Sequence, residues 1–231
     1  MVNAMQTSAE VVCRIGWLSK KPAGFKQAVL ERCQLRKVRA GTTIYRIGDH
    51  ATGLYGVGAG RVGIEIAPAE RAPYLAFFAE PGAWLGYRGV ITGFQQAGLK
   101  ATRDSELLFL PKQAIDDLIR EVPGRWRMFA RLSLSDLQKV TSLLDDVLRR
   151  DHAQRVAAIL LHFGGCRQVT PPDARRIDLE VGQEEVARIA NIGRTVTGAV
   201  LRDLEKAGHI ELAYRRIQVL APDVLRSQLS E

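Results

Sequence analysis

Apolar residues follow two rhythms along this chain, a short alternating one in its first half and a helical one on either side of it. In residues 18–33, a segment that opens near Ser19 and carries Pro22, the residues Phe25, Ala28, Val29 and Cys33 recur at helical spacing and predict a short amphipathic helix. From Leu35 to Leu110 short alternating or apolar runs take over, at 42–47, 60–66, 74–78, 99–102 and 106–110. Glycines separate them, and twelve of the 21 glycines lie between Gly41 and Gly98. Many short strands with glycine-marked turns predict a closed β-sandwich or barrel.

Pro111 ends this texture. Ile115, Leu118 and Ile119 share one face of a helix that stops near Pro123. No proline or glycine interrupts residues 125–149, where Ala130, Ser133, Leu137, Val140, Leu144 and Val147 alternate at steps of three and four. A seam of period 3.5 is the pattern of a helix pairing with a copy of itself. A helix packed on its own domain is the alternative. Another helix is predicted over 154–163, ended by Gly164-Gly165, and the polar stretch 168–176 reads as a loop.

Residues 183–205 read QEEVARIANIGRTVTGAVLRDLE. Val186, Ile189 and Ala190 form one apolar face, Asn191-Ile192-Gly193 breaks it, and Thr197, Val200, Leu201 and Leu204 form a second. Two short helices joined by a tight turn make a helix-turn-helix. Gly182 and Gly193 fall at the two N-cap positions. With the second apolar face inward, Thr195, Gly198, Ala199 and Arg202 point outward, and Arg194 stands at the exposed N-terminal end. A recognition helix presents its N-terminal residues to base edges in the major groove, and arginine there can bond guanine O6 and N7. Arg202 is placed to reach a phosphate. Two β-like runs, 210–212 and 217–220, flank Tyr214-Arg215-Arg216 and predict a wing hairpin with both arginines at its tip. The competing reading is a solvated helix pair closed by a small sheet.

Composition changes this picture little. The 231 residues, 46% hydrophobic and 25% charged, suffice for one large domain or two modest ones. The longest apolar run, 156–161, is too short to span a bilayer, and no basic stretch and apolar run open the chain, so a cytoplasmic location without membrane partners is expected. The net charge of +8 points to an acidic partner, but its distribution does not favour the helix-turn-helix end: residues 151–231 hold 11 Lys/Arg and 11 Asp/Glu. Cys13, Cys33 and Cys166 are widely spaced, and His50, His152, His162 and His209 are scattered, so neither a metal site nor a haem site is expected.

The 183–205 run resembles, without a gap, the helix-turn-helix of the cyclic-AMP receptor/Fnr (Crp/Fnr) family of bacterial transcription regulators. The family pattern, roughly Q-E-x-x-x-x-x-x-x-S-R-E-T-V-x-R-x-L-x-x-L-E, is met at Gln183, at Glu184 or Glu185, and at Arg194, Leu201, Leu204 and Glu205. Gly48-Asp49 and Gly60 are further family-like features, and the resemblance covers nearly the whole chain. It implies an α+β protein with an N-terminal β-roll of the jelly-roll, cyclic-nucleotide-binding kind over residues 1–123, a long dimerisation helix over 124–150 and a winged helix-turn-helix over 151–231. The implied function is that of a dimeric, sequence-specific transcription regulator rather than an enzyme, with double-stranded DNA, a second copy of the chain and RNA polymerase as partners. The DNA-binding residues are then Arg194, Thr195, Gly198, Ala199, Arg202 and Arg215, and the dimer seam is Leu137, Val140, Leu144 and Val147. The family's serine before the arginine is Gly193 here, its following glutamate is Thr195, and its second arginine is Ala199. A different target sequence is expected, with more weight on DNA shape and backbone contacts.

In relatives that bind cyclic nucleotides, a Gly-Glu-Leu segment and a later Arg-Ser-Ala hold ribose and phosphate. The similar segments here are Trp84-Leu85-Gly86-Tyr87-Arg88 and Gln95-Gln96-Ala97. Tyr87 replaces the glutamate and Gln95 the arginine, and a buried phosphate without its cation forfeits a charge-assisted hydrogen bond of about 1.5–3 kcal/mol. Control by cyclic AMP is therefore not expected. Another small molecule could use Trp84, Gly86, Tyr87, Arg88, Gln95 and Gln96, with Thr141 from the long helix. A ligand-free constitutive dimer and a thiol sensor through Cys13 or Cys33 are the alternatives for this domain. Two alternatives concern function: a nucleotide- or small-molecule-responsive module acting on a partner protein without DNA, and a cupin-like enzyme. The enzyme would need a histidine/carboxylate cluster, and the β region holds only His50.

Overall fold

The computed structural model describes residues 2–67, 72–168, 170 and 176–229, and divides into two compact units, Met1–Asp136 and Leu137–Glu231. The division falls inside the long helix expected over 124–150.

The first unit opens with α1 (Val2–Arg14), a 3-10 turn at Leu18–Lys20 and α2 (Ala23–Leu30). The strands β1 (Gln34–Val38), β2 (Thr43–Tyr45), β3 (Gly53–Ala59), β4 (Val62–Ile66), β5 (Tyr74–Ala79) and β6 (Trp84–Leu85) follow, then α3 (Tyr87–Thr92), β7 (Gly98–Ala101), β8 (Ser105–Pro111) and α4 (Lys112–Glu121). They form two four-stranded antiparallel sheets, ordered β1-β8-β3-β6 and β2-β7-β4-β5. Alternation along β8 explains its unbroken apolar run: Leu107 and Phe109 face the other sheet, while Leu108 and Leu110 face the helices. On the helix side Trp17, Phe25, Trp84 and Phe129 pack with ring centroids 5.5–5.9 Å apart, and the Trp17 indole donates to the Met128 carbonyl at 2.7 Å. Gly56 of β3 makes room for this cluster, because a Cβ there would meet the Trp84 ring at 2.8 Å.

The long helix α5 (Trp126–Val147) contributes to both units. Leu132 packs into the first unit's core, while Leu134, Leu137, Val140, Leu144 and Leu148 are exposed. Val147, the last residue of α5, is half-buried, and Leu148 just beyond it is exposed. A straight helix of 3.6 residues per turn drifts about 20° per heptad from a strict 3.5 repeat.

The second unit continues with α6 (His152–Phe163), β9 (Ile177–Leu179), α7 (Gln183–Ala190), α8 (Arg194–Lys206), β10 (Ile210–Ala213), β11 (Arg216–Val219) and α9 (Pro222–Ser227). Asp151 caps α6 by accepting from the Gln154 amide at 2.7 Å. Its apolar run from Val156 to Leu161 is buried all round. Part of the loop expected over 168–176 lies outside the described residues. Fully buried Asp146 accepts hydrogen bonds from His162 Nε2 (2.8 Å), Arg167 Nε and Nη2 (2.6 and 2.9 Å) and Arg149 Nε (2.9 Å). Arg149 Nη1 in turn donates to the Leu229 carbonyl at 2.8 Å.

Candidate functional site

The turn between α7 and α8 is built by Asn191, in the left-handed conformation at φ 53°, which asparagine tolerates better than most residues. Gly182 and Gly193 take the N-cap positions of the two helices. The Glu185 side chain closes the first by accepting from the Gly182 amide at 2.9 Å. Thr197, Gly198, Leu201 and Leu204 are the buried positions of α8, whereas Arg194, Thr195, Val196, Ala199 and Arg202 are exposed.

This arrangement keeps Arg194, Thr195, Ala199 and Arg202 outward as expected, but corrects Gly198. A Cβ on Gly198 would lie 3.2 Å from Gln183 Oε1 and 3.5 Å from Arg202 Nη1, so the residue sits under side chains of α7 and α8. Val196, 40% exposed beside Thr195, was not among the expected contacts. Its exposure agrees with the inward face assigned to Thr197, Val200, Leu201 and Leu204, from which Val196 is absent.

The strands β10 and β11 pair as an antiparallel hairpin, and β9 joins it to give the order β10-β11-β9. Its tip is Tyr214-Arg215, with Tyr214 93% exposed and Arg215 left-handed at φ 53°. Arg216 is not at the tip. It belongs to β11 and pairs with Asp178 of β9 at 2.7 Å. Of the arginines expected at the DNA-binding face, Arg194 pairs with Glu184, and Arg215 Nη2 lies 3.9 Å from Glu185 Oε1.

In the first unit the segment that starts at Trp84 forms β6 and then α3, entered through Gly86 at φ 91°. Trp84 is buried in the aromatic cluster on the helix side. Tyr87 is half-buried and hydrogen-bonded to Asp136, and burial, then the Asp136 charge and that bond, push its phenol well above the usual tyrosine range. Arg88 does not turn inward to replace the missing arginine. It is exposed and donates to exposed Gln96 at 2.7 Å. Gln95 is 4% exposed, and its amide occupies the space beside Gly89, where a Cβ would meet Gln95 Oε1 at 2.6 Å. Thr141 lies on the second unit's part of α5, where its hydroxyl donates to the Leu137 carbonyl at 2.9 Å.

Burial pushes the Cys33 thiol up to about 12 and the Cys166 thiol up to about 11, which leaves little thiolate for redox chemistry at either. Among the described residues no three His, Cys, Asp or Glu side chains converge as a metal set, and no helix is long and apolar enough to cross a membrane.

Comparison with known proteins agrees with this geometry. The cyclic nucleotide-binding domain family matches residues 35–122, and the Crp-like helix-turn-helix domain family matches residues 154–228. The transcriptional regulatory protein btr of Bordetella pertussis is 21% identical over 184 residues, 80% of this chain and 76% of that protein. The cAMP-activated global transcriptional regulator Vfr of Pseudomonas aeruginosa is 25% identical over 201 residues, 80% of this chain and 88% of that protein. Among solved structures, the c-di-GMP responsive regulator CLP of Xanthomonas campestris superimposes with a TM-score of 0.65 at 19% identity, over 86% of this chain and 99% of that one. FixK2 of Bradyrhizobium japonicum gives 0.68 at 16% identity, over 84% and 96%. These two share the fold.

Proposed function

Because the chain belongs to the Crp/Fnr family of DNA-binding transcription regulators, we propose that it acts in the cytoplasm as a homodimer reading a two-fold symmetric duplex site. Arg194 is the guanine reader, Thr195 and Ala199 line the same face, and Arg202 and wing residue Arg215 contact the backbone. RNA polymerase is its second macromolecular partner. The observation that carries the reading is the split face of α8: Thr197, Leu201 and Leu204 hold the helix to its unit, and the N-terminal arginine is left in solvent. A partner-protein module that ignores DNA would have no use for that face.

The protein should bind random duplex DNA at low salt, with affinity falling steeply as salt rises. Arg194→Ala should cost about 1–3 kcal/mol on the preferred site and relax preference at one guanine per half-site. Equal losses on every sequence would make Arg194 a phosphate contact instead, and no binding at low salt would end the reading.

We further propose that cyclic AMP is not the effector. Vfr is cAMP-activated and CLP is c-di-GMP responsive, so effectors differ among similar proteins, and the neutral Gln95 amide fills the space beside Gly89. A ligand of the folded state raises apparent thermal stability. Saturating cyclic AMP should leave the melting temperature unchanged, and a rise of several degrees would overturn this reading.

A further inference from the structure

Gln183, Glu184 and Glu185 form the first turn of α7, the first two lying against α8 and the third against the wing. The Gln183 amide and the Arg202 guanidinium cover the same point on α8, above Gly198. Glu184 is paired with Arg194. Glu185, held by the Gly182 amide, stands 3.9 Å from Arg215 at the wing tip. The two arginines best placed for DNA, one on the recognition helix and one on the wing, therefore share an acidic counter-surface within the same unit.

Acidic residues in a first turn stabilise a helix without any arginine nearby, and exposed ion pairs contribute little to folding. The consequence of these pairs lies in how available the arginines are. Guanidinium offers five N–H donors, of which a guanine edge uses two. Arg194 can hold Glu184 and a guanine together. It cannot hold Glu184 and a backbone phosphate without bringing two anions close to each other.

On the premise that α8 reads DNA, we propose that Glu184 is a specificity-determining residue: it keeps the Arg194 guanidinium for a base edge and discourages its capture by backbone phosphates. Glu185 damps Arg215 in the same way. The acidic turn trades non-specific affinity for discrimination, which agrees with the absence of net positive charge over residues 151–231.

The test uses the full chain with two probes, a random-sequence duplex and a duplex recovered with the wild-type protein by selection from a random library. Glu184→Gln should bind the random duplex roughly fivefold more tightly, and its log–log salt slope should steepen by about 0.9, the equivalent of one added phosphate contact. The preference for the selected duplex should fall by a similar factor. Asp203→Asn removes the same charge from an exposed position of α8 that pairs with Lys206 instead, and should leave the preference unchanged. An unaltered preference in Glu184→Gln, or an equal drop in both variants, overturns the proposal, the latter by reducing it to a general field effect. A wild-type protein that binds neither duplex at low salt would instead defeat the DNA-binding reading on which the proposal rests.

Discussion

Gly198 lies buried in the middle of α8, and the atoms an added methyl would meet are the far ends of Gln183 and Arg202. Glycine in a helix interior costs about 0.8–1 kcal/mol relative to alanine. Because Gln183 is an exposed residue on α7, its amide can give by the few tenths of an ångström that a methyl requires. Gly198→Ala should therefore stabilise the protein by about 0.5–1 kcal/mol, read as a shift in the denaturant midpoint. A loss of stability would mean that the Gln183 amide is fixed in place. The position also marks how far a helical wheel carries. Arg194 and the faces of Thr197, Leu201 and Leu204 follow from spacing within one helix. The burial of Gly198 depends on which side of α8 the neighbouring helix covers, and no periodicity within α8 encodes that.

The elements invisible in the pattern are those whose stability comes from elsewhere in the chain. β3 carries Gly53, Gly56 and Gly58 where apolar residues would signal a strand, and the missing side chains are supplied by Trp84 against Gly56 and Ser8 against Gly58. β9 is only three residues long and exists through its pairing with the wing. The charged edge strand β1 is legible only from its partner β8. At this scale Asp146 is the residue to remove. Burial alone would raise its carboxyl, but hydrogen bonds from His162, Arg167 and Arg149 and the Arg167 charge outweigh that and hold it well below the ordinary carboxylate range. A carboxylate depressed in the folded state gives stability that is present above its unfolded value, near 3.9, and is lost as pH falls towards the folded one. Asp146→Asn leaves Arg149 and Arg167 without their shared anion, a change of the kind that costs about 3–5 kcal/mol at buried pairs. The variant should melt earlier at neutral pH and lose less of its remaining stability than wild type below pH 4. Equal acid sensitivity in both proteins would remove Asp146 from the acid response.

For the molecule as a whole, α5 leaves an apolar stripe in solvent, with Leu137 60%, Val140 52% and Leu144 58% exposed. A fully buried leucine or valine is worth about 1.5–3 kcal/mol, so covering such a stripe with a second copy would offset part of the cost of association, about 4–15 kcal/mol. Two joined recognition helices also bind two half-sites far more tightly than either binds one, because the second contact is intramolecular. The seam and the DNA site are thus coupled in one measurement. Leu137→Glu with Leu144→Glu should sediment as a monomer and lose most affinity for a two-half-site duplex, while keeping the weak, salt-sensitive binding of a single unit to random DNA. The charges sit on exposed positions and leave Leu132 in the core, so the fold should survive, which the far-ultraviolet spectrum checks. A sedimentation mass equal to that of the wild type would remove the stripe from the interface. A monomer with undiminished affinity for the palindromic duplex would mean that a single copy reads its site alone.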